Sequence, residues 1–249
     1  MIVATGLVAV FGLIIGSFLN VVIHRLPRGE SVVRGRSHCP ACGRTLAWYD
    51  LVPVVSYLAL RGRCRSCGAP ISPRYPLVEL LTGAVFAALF YRFGPTPVLI
   101  KYLFLASILV AAAFIDLEHY IIPNRLVLVG AGGGLLSPLL QDVSVWSALS
   151  GMAVAGGVLL LLALVSKGGM GLGDVKLAAV VGLFLGWPLG LVAVFFAACL
   201  GGAFGILLLV FGIKRRKDPI PFGPFIALGT VVTLLWGKQV VFWYTKNFW

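Results

Sequence analysis

Apolar residues fall in long runs, and polar residues collect in the gaps between them. The runs are residues 2–23, 77–93, 98–115, 121–140, 145–165, 175–187, 189–212 and 222–244. A bilayer-crossing helix needs about 20 apolar residues. The pattern therefore predicts an all-α polytopic membrane protein with about eight transmembrane helices. The sixth run is short and ends at Gly186-Trp187-Pro188. The fifth and seventh are rich in Gly and Ala, among them Gly151, Gly156, Ala197 and Gly201, which lets helix backbones approach closely in lipid. One polar stretch, 24–76, is long enough to be an inserted loop, so the chain divides into a first helix (1–23), that loop, and a membrane core (77–249). The first run lacks a basic segment ahead of it and a small-x-small cleavage site, and it reads as a retained anchor.

Composition supports this class. The 249 residues are 60% hydrophobic and 11% charged, with mean hydropathy +1.03. Soluble domains carry about 25% charged residues, so an ordinary soluble domain, a disordered chain and a coiled coil are excluded. The net charge of +12 does not point to nucleic acid, because there is no folded basic domain to carry it. With the N-terminus outside, sixteen of the twenty Lys and Arg face inward, including Lys167, Arg216 and Lys217. Only Arg92, Lys101, Lys238 and Lys246 face outward. Basic residues collect on the cytoplasmic side, which predicts both termini outside and the 24–76 loop in the cytoplasm. His24 and Arg25 close the first run as interface anchors or as residues that orient the loop.

The loop carries Cys39-Pro40-Ala41-Cys42 and Cys64-Arg65-Ser66-Cys67, with 21 residues between the pairs. Gly43 and Gly68 follow the two pairs and permit the tight turn of a zinc knuckle. Four thiolates at this spacing suit a tetrahedral, structural Zn²⁺, and a reducing cytoplasm disfavours disulfides. Cys39, Cys42, Cys64 and Cys67 are the expected metal ligands of a zinc-ribbon-like insertion. The fifth cysteine, Cys199, reads as a small buried residue.

Acidic residues are few, and ionisable groups at the edge of a span are costly unless they serve a purpose. Asp142 and Asp218 fall in connecting loops and are expected to be solvated. Asp116 closes the apolar run 103–115, and Asp174 follows the glycine-rich run 168–173; both are expected at the inner ends of their spans. Two carboxyl groups brought together there would share a proton, supplying a general base to activate water and a general acid for a leaving amine. Asp174 also suits a plain helix N-cap.

Asp116-Leu117-Glu118-His119-Tyr120-Ile121-Ile122-Pro123-Asn124 and Gly171-Leu172-Gly173-Asp174-Val175-Lys176 resemble the two active-site motifs of the type IV prepilin peptidases, GxGD-type intramembrane aspartic peptidases. The segments Gly16-Ser17-Phe18-Leu19-Asn20 through His24-Arg25-Leu26-Pro27, the two Cys pairs, and Ile71-Ser72-Pro73-Arg74-Tyr75-Pro76-Leu77-Val78-Glu79 resemble the same family in the same order. The resemblance implies that the basic leader of prepilins and pseudopilins is cut after a glycine at the cytoplasmic membrane face. In members with the cysteine-bearing loop, it also implies methylation of the new N-terminal residue, commonly phenylalanine, from S-adenosylmethionine. Asp116 and Asp174 would form the dyad with water as nucleophile, and Gly171 and Gly173 would let substrate approach. Glu118 and Lys176 would border the site, Glu118 tolerating the basic leader and Lys176 tuning the dyad or reaching lipid headgroups.

No dinucleotide-type glycine motif marks a methyl-donor site. Gly62, Asp50 and Glu79 are its candidates, with Glu79 alternatively a partner for Arg74. Trp48 and Tyr49 are interface anchors or stacking groups. The Pro219–Pro224 stretch resembles a family motif near the active site, or serves as a turn. The implied setting is a bacterial inner membrane, and the oligomeric state stays open. The competing readings are a peptidase without methyl transfer and a zinc-binding transporter or scaffold.

Overall fold

The computed structural model describes residues 1–140, 142–166, 169–215 and 218–248. Lys167, Arg216 and Lys217, expected as inner-face charges, and Gly168 of the glycine run lie outside the described residues. Nearly everything described is helical. The helices are α1 (Ile2–Arg25), α2 (Val55–Ala59), α3 (Arg74–Phe93), α4 (Pro97–His119), α5 (Asn124–Leu136), α6 (Val145–Val165), α7 (Leu172–Leu185), α8 (Leu189–Val210) and α9 (Gly223–Phe248). Two compact units result, Met1–Gly94 and Pro95–Trp249.

In the first unit α1 and α3 run antiparallel along a seam that steps four residues at a time. Gly12 meets Gly83, Gly16 meets Glu79, and the Asn20 amide donates to the Tyr75 carbonyl at 3.1 Å. A Cβ on Gly12 would lie 2.8 Å from the Gly83 Cα, and one on Gly16 2.7 Å from the Glu79 Cα. Small residues at these positions set the close backbone approach. Ile23, Val78, Phe86 and Leu89 fill the core beside it. Of the two roles open to Arg25, the structure shows the second. Its buried guanidinium donates to the carbonyls of Ser31, Arg34 and Arg36 at 3.1, 2.8 and 3.0 Å, folding the start of the loop around it.

In the second unit α4 is the central helix. Thr96-Pro97 opens it, proline being suited to a first helical position. Its core includes Leu105, Leu109, Ala111, Ala112 and Ile115. It runs past the expected end of its span and closes at Tyr120, whose N–H donates to the Asp116 carbonyl at 2.9 Å. α6 and α7 approach at Gly151 and Gly182, where a Cβ on Gly151 would lie 2.5 Å from the Gly182 carbonyl oxygen. α8 and α9 approach at Gly229, where a Cβ would lie 2.6 Å from the Ala193 carbonyl oxygen. Asp142, expected to be solvated, is instead paired. Both its oxygens lie 2.9 Å from the Lys101 ammonium, and the Tyr102 hydroxyl donates to it at 2.9 Å. Lys101 is buried, and a withdrawn charge needs such a partner.

Among the described residues, six helices are long and apolar enough to cross a membrane: α1, α3, α4, α6, α8 and α9. The other two expected spans are shorter elements. One is α5 with the 3₁₀ turn Ser137–Leu140, and the other is the 14-residue α7. At 1.5 Å per residue α7 is about 21 Å long, against about 30 Å of hydrocarbon. The chain is a polytopic, all-α membrane protein with a cysteine-bearing insertion between its first two long helices.

Candidate functional site

Asp116 lies in the last full turn of α4 and Asp174 in the first turn of α7; both are buried. α4 and α7 pack together, and the two carboxyl groups are close enough to interact electrostatically. They are not equivalent. Gly223, the first residue of α9, donates its N–H to Asp116 Oδ2 at 2.8 Å, and the neighbouring Phe222 backbone N–H also faces that carboxylate. A Cβ on Gly223 would lie 2.9 Å from the same oxygen. Asp174 has Oδ1 buried with no hydrogen-bond partner among the described residues. Asp116 is thus held by backbone donors at the start of α9, whereas Asp174, reached by the Gly171 backbone N–H, keeps one oxygen without a partner among the described residues. Gly223 lies 107 residues from Asp116, and the signals for it in the sequence were the break at Pro221-Phe222-Gly223-Pro224 and the resemblance of that stretch to a family motif near the active site.

Around the pair, the expected residues divide. Gly173 packs on the Ile122 side chain and backbone: a Cβ there would lie 3.0 Å from the Ile122 Cβ. At Gly171, the N-cap of α7, an added Cβ would lie at ordinary contact distance from the Asp174 carboxylate and the Gly173 nitrogen. Lys176 donates to the Asn124 side chain at 2.9 Å, tying the first turn of α7 to the start of α5. Glu118 and His119 stand 4.0 Å apart on the same helix end. The His119 Nε2 is buried with no hydrogen-bond partner among the described residues.

The insertion in the first unit forms two equivalent knuckles. Cys39 N–H donates to Arg44 O and Gly43 N–H returns to Cys39 O. Cys64 N–H donates to Ala69 O and Gly68 N–H returns to Cys64 O. Gly43 and Gly68 take φ of 71° and 70°, which suits glycine. Antiparallel bridges His38–Thr45 and Arg63–Pro70 close the knuckles, and Arg44 reaches Ser66 across them. The four Sγ atoms lie within 4.8 Å of one another. Tetrahedral zinc with bonds of about 2.3 Å puts sulfurs about 3.8 Å apart, so the cluster could hold the ion with little movement. The Cys67 and Ser66 N–H groups push the Cys64 thiol down to about 6. At Cys67 the Ala69 N–H acts in the same sense, but the neighbouring Cys42 and Cys64 thiols push it up to about 11. Four thiols this close cannot all ionise without a cation between them.

The methyl-transfer candidates fall in three places. Asp50 is taken up by structure: Arg65 Nε lies 2.8 Å from its Oδ1, and the Ala47 N–H donates to its Oδ2. Gly62 takes φ of 67° and lies against Tyr57, whose hydroxyl would meet an added Cβ at 3.0 Å. Glu79 is different. It is buried in α3 and accepts the Val54 N–H at 2.8 Å and a hydrogen bond from Ser17. Val54 sits at φ 62°, ψ −47°, with the Val55 N–H bonded to the Pro53 carbonyl at 2.6 Å. This is the rare, strained hand of γ-turn, which is unusual for a β-branched residue. Asn20, one turn along α1 from Gly16, is buried, and its Oδ1 has no hydrogen-bond partner among the described residues. Sequence reasoning gave Asn20 no role of its own, although a polar residue inside an apolar run is a signal.

Comparison with known proteins agrees with this geometry. Residues 10–93 match the model of the bacterial Peptidase A24 N-terminal domain, and residues 103–206 match that of the type IV leader peptidase family. A prepilin leader peptidase/N-methyltransferase of Myxococcus xanthus is 48% identical over 208 residues, covering 81% of this chain and 62% of the relative. Proteins of the same name from Aeromonas hydrophila and Bacillus subtilis are 39% and 37% identical. Those alignments cover 97% and 95% of this chain, and 94% and 96% of the relatives. No solved structure matches the chain significantly. With both halves matched in order and the two acids paired in the second, the chain belongs to the type IV leader peptidase family.

Proposed function

We propose that this chain removes the leader from prepilins and pseudopilins with the Asp116–Asp174 pair, and then methylates the new N-terminal amine. One observation carries the first activity: two buried carboxyl groups interact, one anchored by the Gly223 N–H and the other with a free buried oxygen. Such a pair can hold a water between an acceptor and a donor. One acid takes the water's proton as its oxygen attacks the scissile carbonyl; the other protonates the departing amine. No covalent bond to the protein is needed. Gly171, where an added Cβ would meet the Asp174 carboxylate at 3.4 Å, is the position at which a substrate backbone can come near the pair.

For the second activity, Glu79 and its surroundings are the proposed site, and S-adenosylmethionine would supply a methyl group on a sulfonium. The unpartnered Asn20 Oδ1 and the buried Glu79 carboxylate suit a cationic group. Cys39, Cys42, Cys64 and Cys67 would hold a structural zinc that folds a loop too short to build its own core. The excess of basic residues supports an orientation with the insertion and the acids at the cytoplasmic face of the inner membrane and both termini outside. Incubating the purified protein with a prepilin tests the reading. Loss of a leader-sized mass is expected, followed by gain of one methyl when S-adenosylmethionine is present. Cleavage without methyl gain would reduce the insertion to structure or docking.

A further inference from the structure

The first unit contains a polar cluster that the peptidase chemistry does not use. Ser17 and Asn20 lie three residues apart on the face of α1 that packs on α3. Opposite them are Glu79 and, one turn earlier, Tyr75. The orientation of the Asn20 amide follows from its partner. The Tyr75 carbonyl can only accept, so the group facing it is the NH₂, and Oδ1 is left as an acceptor. That oxygen is buried, in a residue 3% exposed, and has no partner among the described residues. Glu79, 7% exposed, adds a carboxylate that accepts from the Val54 N–H and from Ser17. Buried acceptors without a donor are costly. The strained γ-turn at Val54 is held against the same carboxylate, and such strain tends to persist where a site requires it.

We infer that Asn20 Oδ1 and the Glu79 carboxylate form a binding site for a primary ammonium, namely the N-terminal amine of the cleaved pilin. A primary ammonium has three N–H donors, and this cluster offers it the acceptor oxygens of Asn20 and Glu79. The inference rests on the methyltransferase reading and adds to it the group that receives the acceptor. Glu79 takes one proton from the bound ammonium and leaves a neutral amine. The nitrogen lone pair then forms the new N–C bond while the methyl–sulfur bond of a sulfonium donor breaks, its electron pair remaining on sulfur. The product is a secondary ammonium and a neutral thioether, so charge and atoms balance. Asn20 holds the nitrogen through this step without changing protonation state.

Binding and transfer can be measured separately on the full-length protein in lipid nanodiscs. The binding probes are an apolar peptide with a free N-terminal phenylalanine and the same peptide N-acetylated, both without methyl donor. The wild type is expected to prefer the free amine by about tenfold or more, the worth of a hydrogen bond to a charged group. Asn20→Leu is expected to abolish that preference. Asn20→Asp, which keeps an acceptor oxygen, is expected to retain it. In the transfer assay, Asn20→Leu is expected to raise KM for cleaved pilin more than it lowers kcat, with leader cleavage unchanged. Equal binding of the two peptides to the wild type would overturn the site. So would a preference that survives in Asn20→Leu, or a loss of cleavage in that variant matching its loss of binding. A wild type that prefers the free amine yet transfers no methyl would overturn the methyltransferase reading and leave the amine site standing.

Discussion

The Asp116 carboxylate is anchored by a backbone donor, and the Asp174 carboxyl has an oxygen without a hydrogen-bond partner among the described residues. Neutralising either should remove the proton exchange that cleavage needs while keeping the shape of the side chain. Asp116→Asn and Asp174→Asn are each expected to abolish cleavage in a prepilin assay, while the folded protein still methylates a pilin supplied without its leader. Wild-type cleavage by either folded variant would refute the pair. Gly223→Ala tests the anchor. The added methyl would lie 2.9 Å from Asp116 Oδ2, so the donor must move away. Loss of a hydrogen bond to a charged group is worth about 1.5–3 kcal/mol, so cleavage is expected to fall about tenfold to a hundredfold. An unchanged rate would show that the Gly223 N–H does not position Asp116. Asn20 was less legible beforehand than the acids, because an amide in an apolar run carries no charge to draw attention to it.

Two elements make claims of their own. In the cysteine insertion, a Cys→Ser change at Cys39, Cys42, Cys64 or Cys67 is expected to lose zinc, read by metal analysis, and to harm methylation more than cleavage. After zinc is removed, Cys64 is expected to be alkylated by iodoacetamide at neutral pH well before Cys67. The Cys67 and Ser66 N–H groups hold Cys64 as thiolate above about pH 6, while Cys67 stays protonated to about 11. Equal labelling would contradict the two environments. In the membrane helices, the α6–α7 crossing depends on Gly151 and Gly182. Gly151→Val would force the helices apart, and overpacking of this kind costs about 1–3 kcal/mol, which should appear as a lower melting temperature. The knuckles were readable because each is set by neighbours in the chain. The helix crossings were readable only as a preference for small residues, since composition does not say which glycine meets which.

Across the whole molecule, the hydrophobic pattern showed the helices and the insertion, and the aspartates stood out because so few acids share the chain. Long-range pairings did not follow from it. Nothing near Asp142 in the chain shows that Lys101 and Tyr102 will meet it, and nothing near Arg25 shows four carbonyls from residues 31–36 gathered around it. Hydropathy also counted α5 and α7 among the spans; α7, with 14 residues, is as short as its apolar run, and α5 with its 3₁₀ turn covers Asn124–Leu140. The proposed orientation is open to a direct check: a thiol reagent that does not cross membranes is expected to leave the four insertion cysteines unlabelled in intact cells. The measurement closest to the central claim is mass spectrometry of a prepilin incubated with the purified protein, with and without S-adenosylmethionine, beside the Asp116→Asn variant. The expected result is loss of the leader with wild type only, and one added methyl only when the methyl donor is present. An intact prepilin after incubation with folded wild-type protein, across several prepilins, would contradict it.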